Sequence, residues 1–131
     1  MTSLLSFTAR TITGSGRGRL LGTPTINLDL RDVPLEFQHG IYACRVAVAS
    51  RQSPVASTLS AVLHYGPRPV FDDSVACEVH ILDERLNAKP AKITVTVVQR
   101  IRDVENFAGA EKLKEKIAED ILKSREILRG L

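Results

Sequence analysis

From Leu4 to Ile101 apolar and polar residues alternate in short runs, and beyond Gly109 the spacing lengthens to that of a helix. The first run, Leu4 to Thr13, puts Leu5, Phe7, Ala9 and Thr11 on one face. Thr25 to Leu30, Ile41 to Ala49, Ser57 to Tyr65, Val75 to Leu82 and Ile93 to Ile101 follow, giving six predicted strands. In the third, Tyr42, Cys44, Val46 and Val48 oppose Ile41, Ala43, Arg45 and Ala47, and the first set is expected to face the core. His39-Gly40 turns the chain into that strand, while Arg51 to Ala56, with Pro54, and Asp83 to Ala91 read as polar hairpin loops. Gly66-Pro67-Arg68-Pro69 is expected to be an ordered turn or flap, since proline cannot donate to a sheet ladder.

After Gly109, an acceptable N-cap, Ala110, Leu113, Ile117, Ile121, Ser124 and Leu128 fall on one helical stripe. Glu111, Lys112, Lys114, Glu115, Lys116, Glu119, Lys123 and Arg125 cover the remainder, which reads as a solvated face. Strands followed by one helix fit a closed antiparallel barrel or a sandwich with a helix attached, and pattern alone does not choose.

The strand VACEVHIL carries a conflict. Val75, Cys77, Val79 and Ile81 form one face, so Glu78 and His80 project together from the other, with Ala76 and Leu82. A half-buried strand with a solvent face has this pattern. So does a carboxylate mounted on a rigid element as a general base.

The glycine-rich stretch GSGRGRLLGTPTIN, Gly14 to Asn27, is more specific. Gly14, Gly16 and Gly18 alternate, Arg17 and Arg19 stand between and after them, and Gly22 precedes Pro24-Thr25-Ile26-Asn27. Glycines let backbone N–H groups approach an anion, and arginines add fork-shaped donors. Thr25 and Asn27 add two neutral oxygens, a set that suits a phosphate with a metal ion beside it. A Walker loop is excluded because the stretch has no lysine, and a dinucleotide fingerprint because a strand pattern, not a helix, follows the glycines.

The 131 residues suffice for one domain, 1–131, with a single core. At 44% apolar and 25% charged the composition is globular, and the net charge of +3 favours anionic ligands without arguing for nucleic acid. The N-terminal MTSLLSF has no basic region and too short an apolar run for a signal peptide, and no segment approaches a membrane span, so a cytosolic protein is expected. Cys44 and Cys77 sit inside apolar strands and are expected to be buried thiols. His39, His64 and His80 lack metal-ligand spacing, and no nucleophile-elbow signature occurs.

Together these motifs resemble the riboflavin kinase family, including the kinase half of bacterial bifunctional FAD-synthesising enzymes. GRGRLLGTPTIN is similar to the family's Gly-Arg-Gly-Arg-x-Leu-Gly-Phe-Pro-Thr-Ala-Asn, HGIYACRV to its Gly-Val-Tyr-Ala-x-Arg-Val strand, and GPRPVF to its Gly-x-Arg-Pro-Thr-Phe flap. CEVHILD resembles its Glu-Val-His strand, and RIRDVENF its Arg-x-Arg-Asp-x-x-x-Phe ending. The resemblance implies a six-stranded antiparallel Greek-key barrel with a C-terminal helix, and ATP- and Mg²⁺-dependent phosphorylation of the ribityl 5′-hydroxyl of riboflavin to FMN. It implies Thr25 and Asn27 as ligands of Mg²⁺, and Gly16, Arg17, Gly18, Arg19, Gly22, Pro24 and Thr25 around the ATP phosphates. It implies Glu78 as the base that orients and deprotonates the hydroxyl, and Arg102, with Glu78, near the flavin or its phosphate. Mobile loops at Gly14 to Gly22 and Gly66 to Asp73 would close over the substrates.

The chain departs from the family pattern at Thr23 for phenylalanine, Ile26 for alanine, His64-Tyr65 for Asn-Ile and Val70 for threonine, and Leu86 to Lys89 lacks a Tyr-Gly. No N-terminal nucleotidyltransferase domain stands in this sequence, so FAD synthesis is not expected of it. The expected partners are riboflavin and ATP, with no nucleic acid, no membrane and a monomeric protein. Two alternatives remain: a flavin- or nucleotide-binding module that lost turnover, and a nucleic-acid-binding barrel using Arg17, Arg19 and Arg68. The latter lacks aromatic stacking platforms, with six aromatic residues and no tryptophan in the chain.

Overall fold

The computed structural model describes residues 5–12, 25–50, 53–67, 74–82, 90–105, 107 and 109–129. Its strands are β1 (Leu5–Ile12), β2 (Ile26–Leu28), β3 (Gly40–Ser50), β4 (Ser53–Pro67), β5 (Val75–Ile81) and β6 (Lys92–Arg102), followed by the helix α1 (Ala110–Arg129). The order β1-β2-β5-β4-β3-β6 closes on itself, because β6 also pairs with β1. All six pairings are antiparallel. Of the two architectures that the pattern allowed, this is the barrel, with a Greek-key crossing from β2 past β5 and β4 to β3.

The alternation read from the sequence sets the interior. Ile26, Val79, Leu63 and Tyr42 lie directly across from one another on β2, β5, β4 and β3, and all are buried. Cys44, Val46, Cys77, Ile93, Val95 and Val97 fill the same core. Burial pushes the Cys77 thiol up to about 12 and Cys44 higher still, which leaves two inert thiols, as expected. Phe37 packs onto this core from the segment before β3, at 4.7 Å from the Tyr42 ring and stacked on Tyr65 at 5.3 Å. Tyr42 donates its hydroxyl to the Gln38 carbonyl at 2.7 Å, satisfying the one polar atom the ring brings inside.

Three boundaries differ from the sequence expectations. The second strand ends at Leu28 because Asp29 accepts a hydrogen bond from the Arg31 N–H at 3.0 Å and starts a 3-10 turn, Leu30–Asp32. Arg10 then ties this turn to β1, reaching both carboxylate oxygens of Asp32 at 2.9 and 3.0 Å. Ser53 to Ala56 belong to β4 rather than to a loop, with Ser50 paired to Ser53. Gly66 and Pro67 also belong to β4, opposite Ala76 and Val75. The proline is tolerated because β3 pairs with β4 only as far as Tyr65, so beyond it the ladder has one neighbour. Gly66 takes a φ of +147°, and a Cβ there would meet the Val104 side chain at 2.9 Å.

Helix α1 packs outside the barrel against β3, β4 and β6. Leu128 meets Ala43 and Val98, and Ile121 meets Ile41, Val62 and Leu82. The buried Ser124 hydroxyl donates to the Ala61 carbonyl at 3.1 Å. Asp120, a charge that the helical pattern does not place on the apolar stripe, is also buried, and accepts Arg102 Nε and Nη2 at 2.9 and 2.8 Å. This fork-to-fork pair is 4% exposed at Asp120 and 11% at Arg102, and it is geometrically specific as well as strong. Removing one partner strands the other charge. Asp120→Ala is therefore expected to destabilise the fold by about 3–5 kcal/mol. Urea denaturation monitored by circular dichroism checks this, and a loss below about 1 kcal/mol would show that the helix docks without help from this pair.

Candidate functional site

Directly opposite residues of antiparallel strands share a face, with Cβ atoms about 4.5–5.5 Å apart. Asn27 on β2 stands opposite Glu78 on β5, and Glu78 stands opposite His64 on β4. The same row continues through Ile41 on β3 to Arg102 on β6, and on the other side to Ile12 on β1. Its neighbours along each strand, Ile26 and Leu28, Cys77 and Val79, Leu63 and Tyr65, face the barrel interior. The row therefore lies on the outer face. Residues from distant parts of the chain, singled out by separate motifs, are thus neighbours on one wall.

Thr25 precedes Asn27 by two positions and is half-buried like it, whereas Ile26 between them is 8% exposed and turned inward. The bulk at Ile26 is therefore kept away from the two neutral oxygens, as the alternation required. Tyr65, the second departure of the His64-Tyr65 pair, turns inward as well and stacks on Phe37.

The charges of the row are not symmetric. Arg102 is committed to Asp120 and also donates to the Asp103 carbonyl at 2.9 Å, so its guanidinium faces the middle of α1. Asp120 is the residue that the sequence pattern missed; its only signal was a carboxylate next to the stripe position Ile121. His64 and His80 are half-buried beside Glu78, but their nitrogens are shielded from water, and neither His64 nitrogen nor His80 Nδ1 has a hydrogen-bond partner among the described residues. Burial lowers His80 to about 4. Burial first, then His80 and Arg102 nearby, lower His64 to about 4. Both imidazoles are neutral at physiological pH.

This wall offers a carboxylate on a rigid strand, with a side-chain amide directly across from it. Among the described residues no three His, Cys, Asp or Glu side chains converge as a metal cluster. Thr25 and Asn27 fit a hard cation of the Mg²⁺ type, which accepts neutral oxygens and takes much of its shell from water and phosphate. Gly16, Arg17, Gly18, Arg19, Gly22 and Pro24, expected around a nucleotide, lie outside the described residues, as do Thr23, Val70 and Leu86 to Lys89. No described helix is long and apolar enough to cross a membrane.

A family model for riboflavin kinases, Flavokinase, matches residues 1–128. The bifunctional riboflavin kinase/FMN adenylyltransferase of Buchnera aphidicola subsp. Schizaphis graminum is 33% identical over 120 residues, covering 88% of this chain and 36% of the relative. The enzyme of the same description from Escherichia coli K12 is 33% identical over 122 residues, 92% of this chain and 37% of the relative. The chain thus spans about a third of the length of these relatives, at 36% and 37%. Among solved structures, a Streptococcus pneumoniae protein described as a macrolide-efflux protein superposes with a TM-score of 0.75 at 25% identity, over 92% of this chain and 38% of that one. The riboflavin kinase of Trypanosoma brucei superposes with a TM-score of 0.62 at 20% identity, over 95% of this chain and 79% of that one, a likeness of fold.

The two neutral histidines make stability depend on pH in a defined direction. Unfolding returns each from about 4 to the ordinary 6.5, so the unfolded chain binds protons that the native one refuses. Their stabilisation is full above pH 6.5 and falls as the pH drops toward 4, at up to about 1.4 kcal/mol per pH unit for each histidine. Asp29, held down to about 2 mainly by its hydrogen bonds from Arg31, loses its contribution only at lower pH. Urea midpoints between pH 7 and 4 are expected to drop steeply, and His80→Asn to flatten that slope. An unchanged slope in the variant would mean that His80 titrates alike in the native and unfolded protein.

Proposed function

The chain belongs to the riboflavin kinase family, and from that membership we propose that it transfers the γ-phosphoryl group of ATP to the ribityl 5′-hydroxyl of riboflavin, giving FMN and ADP. The single observation that carries this reading is the pairing of Asn27 with Glu78 across β2 and β5. It joins the end of the glycine-rich motif to the carboxylate of another motif on one rigid wall.

Glu78 accepts the proton of the 5′-hydroxyl as its oxygen attacks the γ-phosphorus. The new O–P bond forms as the bond to the β-phosphate oxygen breaks, and ADP leaves with that electron pair. Thr25 and Asn27 would hold Mg²⁺, which when bound would supply neutralisation of phosphate charge. The backbone N–H groups and arginines of Gly16 to Gly22, with Pro24 next to the wall in sequence, bind the phosphates. Arg102 works through its pair with Asp120, fixing the end of β6 beside the flavin site rather than offering a free cation to it. Positioning and charge neutralisation account for most of the rate in such transfers, which is why few reactive side chains are needed.

Incubation with riboflavin, ATP and Mg²⁺, followed by chromatographic separation of riboflavin from FMN, tests the reading directly. FMN formation is expected, and its absence with folded protein would overturn it. Glu78→Gln is expected to lower kcat by on the order of a hundredfold or more with the fold unchanged. Near-normal turnover would remove Glu78 as the base. Thr25→Val and Asn27→Leu are expected to weaken Mg-ATP binding in calorimetric titration while riboflavin binding is spared. Equal loss for the two ligands would point to a damaged fold instead.

A further inference from the structure

His64 has an environment that its burial alone does not explain. It stands directly across from Glu78 on the outer wall, and neither of its ring nitrogens has a hydrogen-bond partner among the described residues. An apolar side chain would fill the same space beside Val62 and Ile41 without leaving a donor and an acceptor unmet. A buried unpaired imidazole is therefore expected to have a task in another state of the molecule.

The groups around it narrow that task. On β5 it faces Glu78 and, diagonally, His80. From β6 Arg102 is near, but that guanidinium is a donor already held by Asp120 of α1. His39, before β3, is the remaining titratable neighbour. Of these groups the Glu78 carboxylate is the strong acceptor, on the residue directly across the ladder. A carboxylate offers about four lone-pair sites, so Glu78 can take this bond besides those it already makes.

We propose that His64 is a positioning residue for Glu78: one ring N–H donates to the carboxylate and holds it toward the hydroxyl to be deprotonated. The proposal rests on the kinase reading. An uncharged ring suits the purpose. An imidazolium would hold the carboxylate in an ion pair and weaken it as a base, whereas a neutral N–H orients it with a smaller loss of basicity.

The test uses the full chain with His64→Phe, which keeps the ring and removes both nitrogens, and His64→Asn, which keeps a short N–H donor. His64→Phe is expected to lower kcat on the order of tenfold with KM for Mg-ATP unchanged, and to move the acid limb of the kcat–pH profile upward. His64→Asn is expected to recover most of the rate and return the limb. Wild-type kcat and limb in His64→Phe would overturn the proposal, as would a His64→Asn that fails equally while folded. A second measurement needs no turnover: ¹³C NMR titration of the Glu78 side-chain carboxyl with riboflavin and Mg-ADP bound, whose midpoint is expected to rise in His64→Phe and to return in His64→Asn. An unmoved midpoint overturns the proposal whether or not FMN is made. If the wild type makes no FMN, the kinase reading fails, and a midpoint that rises in His64→Phe and returns in His64→Asn still establishes the bond. Should His64→Phe not fold, His64→Leu takes its place in both arms.

Discussion

Because β6 returns to pair with β1, every strand has a neighbour on each side and the sheet has a true inside and outside. Backbone alternation then leaves little freedom. Once Ile26, Val79, Leu63 and Tyr42 are drawn inward together, Asn27, Glu78 and His64 must stand outside together, because each lies one residue along the chain from an inward-facing side chain. The geometry of the candidate site is thus a by-product of core packing. A one-residue slip of β5 would bury Glu78 in an apolar barrel and expose Val79, an exchange that the core resists on both counts.

The helix adds a second constraint, of a different kind. Its apolar contacts to β3, β4 and β6 tolerate small shifts, but the Arg102–Asp120 pair does not, since two parallel N–H···O bonds fix direction and distance together. That pair sits at the end of β6, in register with the wall that carries Glu78. Ser124 and Arg45 fasten the far half of the helix, through the Ala61 and Leu128 carbonyls. From its midpoint to its end the helix is thus held by directional bonds to β3, β4 and β6.

Much of this was legible in the sequence because it rests on period. The six strands, the inward set of β3, the paired faces of β5 and the helical stripe all follow from alternation or from 3.6-residue spacing. The meeting of Asn27, Glu78 and His64 was not legible, because register between strands distant in sequence is set by the whole barrel and has no local signal. The resemblance to a family stood in for it in the case of Glu78 and Asn27, and His64 stood out only as a departure. Asp120 was missed because a carboxylate beside an apolar stripe usually points to water, and its partner lies 18 residues away on a strand. Gly66 and Pro67 were read as a turn because a strand proline is normally excluded, and the exception depends on where β3 stops.

That stopping point has a wider bearing. Past Tyr65, β4 runs on with β5 as its one strand partner among the described residues, and the side that β3 leaves is covered at Gly66 by Val104 and His39, so Gly66 is buried. A strand end that loses its neighbour is thus closed by side chains rather than by another ladder. Pro67 has no N–H to leave unpaired there, and Gly66 has no Cβ to push Val104 away. The two residues let the segments before β3 and after β6 meet over the end of β4, a seam closed by packing where the hydrogen-bond ladder stops.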